Sequence, residues 1–161
     1  GQEAVFLAAG SAIQDHDTYV PYYRDHPAFL LRGMPIHQLL WYWAGDIRGA
    51  SFQHKPQDLP INVPIASQVP HATGLAFANK QKGSRNVIIV TLGDGATSKG
   101  DCYEAMNMAA IHRLPLVFFI NNNQVSWLKH YRLIFSGGKM YYLNRFINLD
   151  IFRNVYIGSF T

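Results

Sequence analysis

The sequence predicts an α/β protein built on a doubly wound, mostly parallel sheet. Two short apolar runs rich in β-branched and aromatic residues, 86–92 and 116–120, carry that prediction. Between them residues 101–112 read as a helix, and Gly93-Asp94-Gly95 marks a turn straight after the first run. Strand, glycine turn, helix, strand makes one right-handed βαβ unit. Such sheets bind ligands beyond the carboxyl ends of their strands, where Gly93–Gly95 and Asn121–Asn123 both fall.

The other elements follow in order. Residues 5–13 are expected to form a short helix with one buried face, and 19–24 an extended or turning segment broken by Pro21. Residues 28–31 and 36–43 read as two helical pieces split by Gly33 and Pro35. Residues 45–64, with Pro56, Pro60 and Pro64, read as a loop. A helix is expected within 65–82, starting beyond Pro70, because Ala72, Leu75, Ala76 and Asn79 follow helical spacing. Asp101 and Glu104 suit the positive end of the 101–112 helix, and Ser98 is its expected cap. Residues 125–161 hold nine aromatics and five basic residues with no regular alternation of strand and helix. The expected division is a partial domain over 1–124 and an atypical tail over 125–161.

An apolar content of 48% and a charged content of 15% suit a globular chain rather than a disordered one. No apolar run approaches the roughly 18 residues that cross a membrane. No charged leader precedes an apolar stretch, and Cys102 has no partner for an internal disulfide, so a reducing, cytoplasmic setting is expected. Gly1 opens the chain and no methionine precedes Met34, which reads as a processed or incomplete beginning. The net charge is +4. Residues 1–124 hold nine Lys/Arg and nine Asp/Glu, so the excess lies in the tail, where five basic residues face Asp150 alone. The body carries no bias toward nucleic acid, and no nucleic-acid partner is expected.

The glycine turn narrows the chemistry. Gly-Asp-Gly between a strand and a helix offers backbone amides to an anion. The dinucleotide fingerprint G-x-G-x-x-G fails, because the glycines fall at 93, 95 and 100. The P-loop fails too, because Asp101 and Cys102 follow Gly100 in place of Lys and Ser/Thr. Asp94 beside a diphosphate would be repelled by roughly 1–4 kcal/mol at about 4 Å. A divalent cation between them reverses the sign, and magnesium takes a carboxylate, further oxygen donors and phosphate oxygens readily. An asparagine at the end of the next strand can supply an amide oxygen. The plainer alternative is a tight turn with an ordinary capping aspartate.

The stretch from Gly93-Asp-Gly-Ala96 to Asn121-Asn-Asn123 resembles the thiamine-diphosphate motif. The wider run GDGATSKGDCYEAMNMAAIHRLPLVFFINNNQ resembles the alpha subunit of the first component of 2-oxo acid dehydrogenase complexes. The likeness begins at Gly1-Gln-Glu-Ala4, continues through Tyr22-Tyr-Arg-Asp25 and Pro64-Ile-Ala-Ser-Gln68, and covers residues 1–124. Arg32-Gly-Met-Pro-Ile36 gives it a bacterial, pyruvate-type flavour; branched-chain 2-oxo acid and acetoin dehydrogenases are the nearest alternatives.

The resemblance implies a thiamine-diphosphate-binding fold, here incomplete, with thiamine diphosphate and Mg2+ as cofactors. It implies that Tyr23 and Arg24 reach the diphosphate, that the backbone of Ile65 meets the aminopyrimidine, and that Gly93, Gly95 and Ala96 form the amide cradle. Asp94 and Asn123 correspond to magnesium ligands, with the carbonyl of Val125 as the third. Asn121 stands where some relatives direct an arginine to the diphosphate, and Val63 where some have serine. The implied reaction is oxidative decarboxylation of a 2-oxo acid, with acyl transfer to a lipoyl group on an acyltransferase component. The implied partner is a beta subunit, which contributes the glutamate that activates the cofactor.

Family members are longer, so the resemblance also implies a fragment in which a later histidine-bearing loop has no counterpart. After Asn123-Gln124 the sequence leaves the family pattern, and a change of reading frame would account for the basic, aromatic tail. The rival reading is a non-catalytic remnant whose tail binds nucleic acid or nothing. His54, His71 and His112 read as structural, Cys102 as core, and Trp41, Tyr42 and Trp43 as core or subunit interface.

Overall fold

Parallel strands buried on both faces need apolar residues at successive positions, and Ile88-Ile-Val-Thr-Leu92 and Leu116-Val-Phe-Phe-Ile120 supply them. The computed structural model, which describes residues 2–51, 55–121 and 155–160, places these runs at its centre. Strands β1 (Thr18–Val20), β2 (Ile88–Gly93), β3 (Leu116–Asn121) and β4 (Val155–Phe160) form one four-stranded sheet in the order β1-β2-β3-β4. Every neighbouring pair is parallel. The helices are α1 (Gln2–Ala12), α2 (His26–Leu31), α3 (Ile36–Trp43), α4 (Gln68–Gln81) and α5 (Gly100–Ile111). Tight 3-10 turns cover Ile47–Ala50 and Asp94–Ser98.

Alternate strand residues feed two separate cores. Val20, Val90, Leu92 and Phe118 pack with Val69 and Ala72 of α4 and with Cys102 and Met106 of α5. Tyr19 and Ile89 point the other way and join Phe6 of α1 and Phe29 of α2. Helices therefore cover both faces, the doubly wound arrangement that the strand pattern predicts. Each large apolar side chain buried in this way contributes about 1.5–3 kcal/mol.

A buried ion pair ties the second core together. Arg32, at the end of α2, donates from Nε to Asp58 Oδ2 at 2.6 Å and from Nη2 to Asp58 Oδ1 at 2.8 Å. Asp58 Oδ1 also accepts from the Tyr19 amide at 2.9 Å, so the pair fixes the start of the sheet. The forked geometry satisfies two charges that would otherwise be costly inside a core.

Several elements differ from the sequence expectation. Helix α4 begins at Gln68, before Pro70. A proline in a helix's first turn removes an amide that has no intrahelical partner there, so Pro70 does not delay the start. Ser98 does not cap α5: its hydroxyl donates to the Gly95 carbonyl at 2.7 Å, and Lys99 holds the cap position. The residues before α5 already form a helical turn, so the Ser98 hydroxyl bonds back within it. Strand β4 pairs with β3 from Leu116↔Val155 to Asn121↔Phe160. Val155-Tyr-Ile has strand propensity, but the interior Gly158 interrupts the pattern that would announce it.

Candidate functional site

The parallel register brings Gly93 directly opposite Asn121, so the end of β2 and the end of β3 share one edge. Immediately beyond β2 the chain enters the 3-10 turn at Asp94. The first amides of a helical turn have no partner within it, so Asp94, Gly95 and Ala96 offer their N–H groups outward from the turn's start. Thr97 and Ser98 donate their hydroxyls to the carbonyls of Asp94 and Gly95, at 2.6 and 2.7 Å, which holds the turn in shape.

A second segment reaches the same edge from β1. A Cβ added to Gly93 would lie 4.0 Å from Cε2 of Tyr22. The Tyr22 and Tyr23 rings meet edge to face at 5.1 Å, and the exposed Arg24 guanidinium lies 5.1 Å from the Tyr23 ring centroid. Tyr22, Tyr23 and Arg24 therefore form a continuous line of contact leading away from the glycine turn.

The third contributor is the stretch before α4. Asn62 forms a parallel bridge with Tyr22 and accepts from Ser67 Oγ at 2.7 Å. Within this stretch Val63 and Ile65 are exposed, and Ala66 adopts a φ of 67°. That left-handed conformation costs a non-glycine residue roughly 1–2 kcal/mol. Burial of Ala66 in the first core holds it there and turns Ile65 outward.

Beneath the edge lies a buried polar cluster. Asp25 is fully buried, and its Oδ2 accepts from the Tyr22 amide at 3.0 Å and from the Thr91 hydroxyl. Thr91 Oγ1 in turn accepts from the Tyr22 amide at 3.3 Å. Desolvation raises the Asp25 carboxyl to about 7, against the opposing effect of its hydrogen bonds. Burial also holds the Tyr19 hydroxyl well above its usual range. The Tyr22 hydroxyl is pushed up to about 12, chiefly by desolvation. The Asn121 carboxamide lies beside the Tyr22 hydroxyl and works against its upward shift, while its buried Nδ2 has no well-formed hydrogen bond among the described residues. An unsatisfied buried donor at a strand end costs free energy that an anionic or carbonyl acceptor would recover.

The expected site residues Tyr23, Arg24, Ile65, Gly93, Asp94, Gly95, Ala96 and Asn121 thus occupy three segments that meet at one carboxyl edge. Asn123 and Val125 lie outside the described residues, so Asp94 is the described member of the expected cation set. Donor amides, a guanidinium, an unpaired carboxamide and one carboxylate suit a phosphate group bridged by a divalent cation. Asp25 and Thr91 have no assigned role in the sequence reading. A threonine interrupting the apolar β2 run is the signal that points to them.

The residues read as structural behave so where they are described. His71 Nδ1 lies 2.8 Å from the Ser67 carbonyl, and the His112 ring packs on Phe77. Cys102 is buried, and desolvation pushes its thiol up to about 12, which leaves it inert at neutral pH. Of the aromatic run expected in the core or at a subunit interface, two members are not core: Trp43 is exposed and donates to His26 at 2.8 Å, while Trp41, half-buried, stacks beneath Arg48 at 4.6 Å. His54 lies outside the described residues. Among the described residues no helix is long and apolar enough to cross a membrane.

Comparison with known proteins agrees with this architecture. A solved structure from Mycobacterium smegmatis, described as a thiamin diphosphate-dependent enzyme, superposes over 76% of this chain and 20% of its own, with a TM-score of 0.53 and 22% identity. That likeness establishes the fold alone. The family described as Dehydrogenase E1 component matches residues 1–127, and the chain belongs to that family. The pyruvate dehydrogenase E1 component subunit alpha of Mycoplasma pneumoniae is 41% identical over 124 residues, 77% of this chain and 35% of that protein. The 3-methyl-2-oxobutanoate dehydrogenase subunit alpha of Mycobacterium tuberculosis is 38% identical over 124 residues, 77% of this chain and 34% of that protein. The chain therefore spans about a third of the length of these relatives.

Proposed function

We propose that this chain is the cofactor-binding part of the alpha subunit of a 2-oxo acid dehydrogenase, with pyruvate as the substrate. The observation that carries the reading is the meeting of Gly93-Asp94-Gly95, Asn121 and the Tyr22–Arg24 segment at one sheet edge. Arg24 and Tyr23 would meet the outer phosphate, while the amides of Asp94 to Ala96 and Asn121 Nδ2 would donate to phosphate oxygens. Asp94 would hold Mg2+, with the side chain of Asn123 and the carbonyl of Val125 as the further ligands the family pattern implies. The backbone of Ile65 meets the aminopyrimidine. The pyruvate-type relative is the more similar of the two named above, which favours pyruvate over a branched-chain 2-oxo acid.

Thiamine diphosphate, when bound, supplies a carbon nucleophile for cleavage beside a 2-oxo group, chemistry that no protein side chain provides. This chain's residues would bind and orient it: fixed amides donate hydrogen bonds to the phosphate oxygens, and Asp94 supplies a carboxylate that a divalent cation would balance. A beta subunit completes the site, and a lipoyl-bearing acyltransferase takes the acyl group. A cytoplasmic setting is part of this proposal, in keeping with the single, unpaired Cys102.

Thermal unfolding of the chain, with and without a beta subunit, tests the proposal. Thiamine diphosphate at about a hundred times its dissociation constant stabilises by roughly 2.7 kcal/mol, and that gain is expected only with Mg2+ present. No stabilisation in either preparation refutes the assignment.

A further inference from the structure

We propose that Asp25 and Thr91 form a buried latch that fixes the Tyr22–Arg24 segment beside the end of β2, so that diphosphate affinity depends on residues that never touch it. The inference rests on the function proposed above. Residues 22–25 close a tight turn, with the Asp25 amide donating to the Tyr22 carbonyl at 3.3 Å and the Tyr22 amide returning to Asp25 Oδ2 at 3.0 Å. That turn exposes Arg24 while Asp25 beside it is fully buried. Thr91 stands two residues before Gly93 on β2, and its hydroxyl reaches the same carboxyl oxygen.

The arginine segment and the phosphate turn are thus fastened through one oxygen atom. The Gln68 side chain reinforces the anchor by donating Nε2 to the Thr91 carbonyl at 2.8 Å. This puts the start of α4 on the same strand position. Asp25 Oδ1 and the Tyr19 hydroxyl are buried in the same cluster with no completed hydrogen bond. A helix cap does not account for Asp25, because it makes no side-chain cap bond to α2. Its carboxylate bonds run to the turn and to β2 instead. Asp25 and Thr91 are accordingly positioning residues, not catalytic ones.

The test compares Thr91→Val, which removes the hydroxyl, with Thr91→Ser and Asp25→Asn, which keep an oxygen in place. Amide hydrogen exchange over residues 20–25 reports the latch without any ligand, and calorimetric titration of thiamine diphosphate with Mg2+ reports its consequence. Thr91→Val is expected to speed exchange in that segment and to weaken binding about tenfold, the scale of one lost hydrogen bond. Thr91→Ser and Asp25→Asn are expected to retain both properties, with Thr91→Ser melting near the parent and Asp25→Asn melting no lower than it. Unchanged exchange in Thr91→Val overturns the latch, and faster exchange with unchanged affinity overturns its role in positioning. Loss of affinity in all three variants alike points to general destabilisation and also overturns it. Failure of the unaltered chain to bind the cofactor at all, with or without a beta subunit, overturns the proposed function and the inference built on it.

Discussion

The Asp25 carboxyl makes a measurable prediction about pH. Its native value lies near 7, raised from 3.8 by desolvation. A raised carboxyl means that the native state holds a proton which the unfolded chain has already lost. The native state is therefore favoured at low pH and loses stability as pH rises through the native value. A tenfold difference in proton affinity between the two states is worth about 1.36 kcal/mol, so a full ionisation penalty is roughly 4 kcal/mol. Between pH 5 and pH 8 the penalty grows by roughly 2–3 kcal/mol. Asp25→Asn mimics the protonated acid and cannot ionise. Urea unfolding of parent and variant at half-unit pH steps isolates this group, because the other titrations cancel in the difference. The variant is expected to gain on the parent steadily from pH 5 to about pH 7 and to level off by pH 8. A difference that stays flat across that range refutes the buried, proton-holding environment described for Asp25.

Other perturbations follow from the same geometry. Asp94→Ala should abolish magnesium-dependent binding of thiamine diphosphate, and calorimetry showing unchanged affinity would count against the cation bridge. Arg24→Ala should weaken that binding by about 1.5–3 kcal/mol with little change in melting temperature, because Arg24 is exposed with its guanidinium over the Tyr23 ring. Arg32→Ala should cost about 3–5 kcal/mol of stability by stranding the buried Asp58, as read by denaturant unfolding. The chain alone should show no 2-oxo acid decarboxylation with an artificial electron acceptor, since the activating glutamate is assigned to a beta subunit; turnover by the chain alone would contradict that assignment.

The parts of the fold visible in the sequence were those with local periodicity. Ile88–Leu92 and Leu116–Ile120 announce buried strands because apolar residues fill successive positions, and Gly93 and Asn121 end them. Their pairing as register partners is a tertiary fact, yet the βαβ spacing makes it expected. Strand β1 is harder to read: it has three residues, with Pro21 directly after, and its pairing with β2 spans a long sequence separation. The candidate site could be proposed from sequence where its chemistry repeats a known pattern, as at Asp94 and Arg24. Asp25 and Thr91 stayed hidden because a buried acid and an exposed acid look identical in sequence. Only the packing of Tyr19, Phe29 and the sheet around Asp25 distinguishes them.

The parallel register of β2 and β3 makes the accuracy of the site a property of the interior. Gly93 faces Asn121 only while Ile88 faces Leu116 and Val90 faces Phe118. A slip of one residue would carry Leu116, Phe118 and Ile120 from one core to the opposite face and move Asn121 away from Tyr22 at the same time. The apolar side chains near the foot of the sheet therefore act as an alignment key for groups at its rim, although they touch no phosphate. Drift at the binding edge is penalised as lost burial in the core. A sheet keyed in this way can change the residues of its rim one at a time while the distances between them stay inherited.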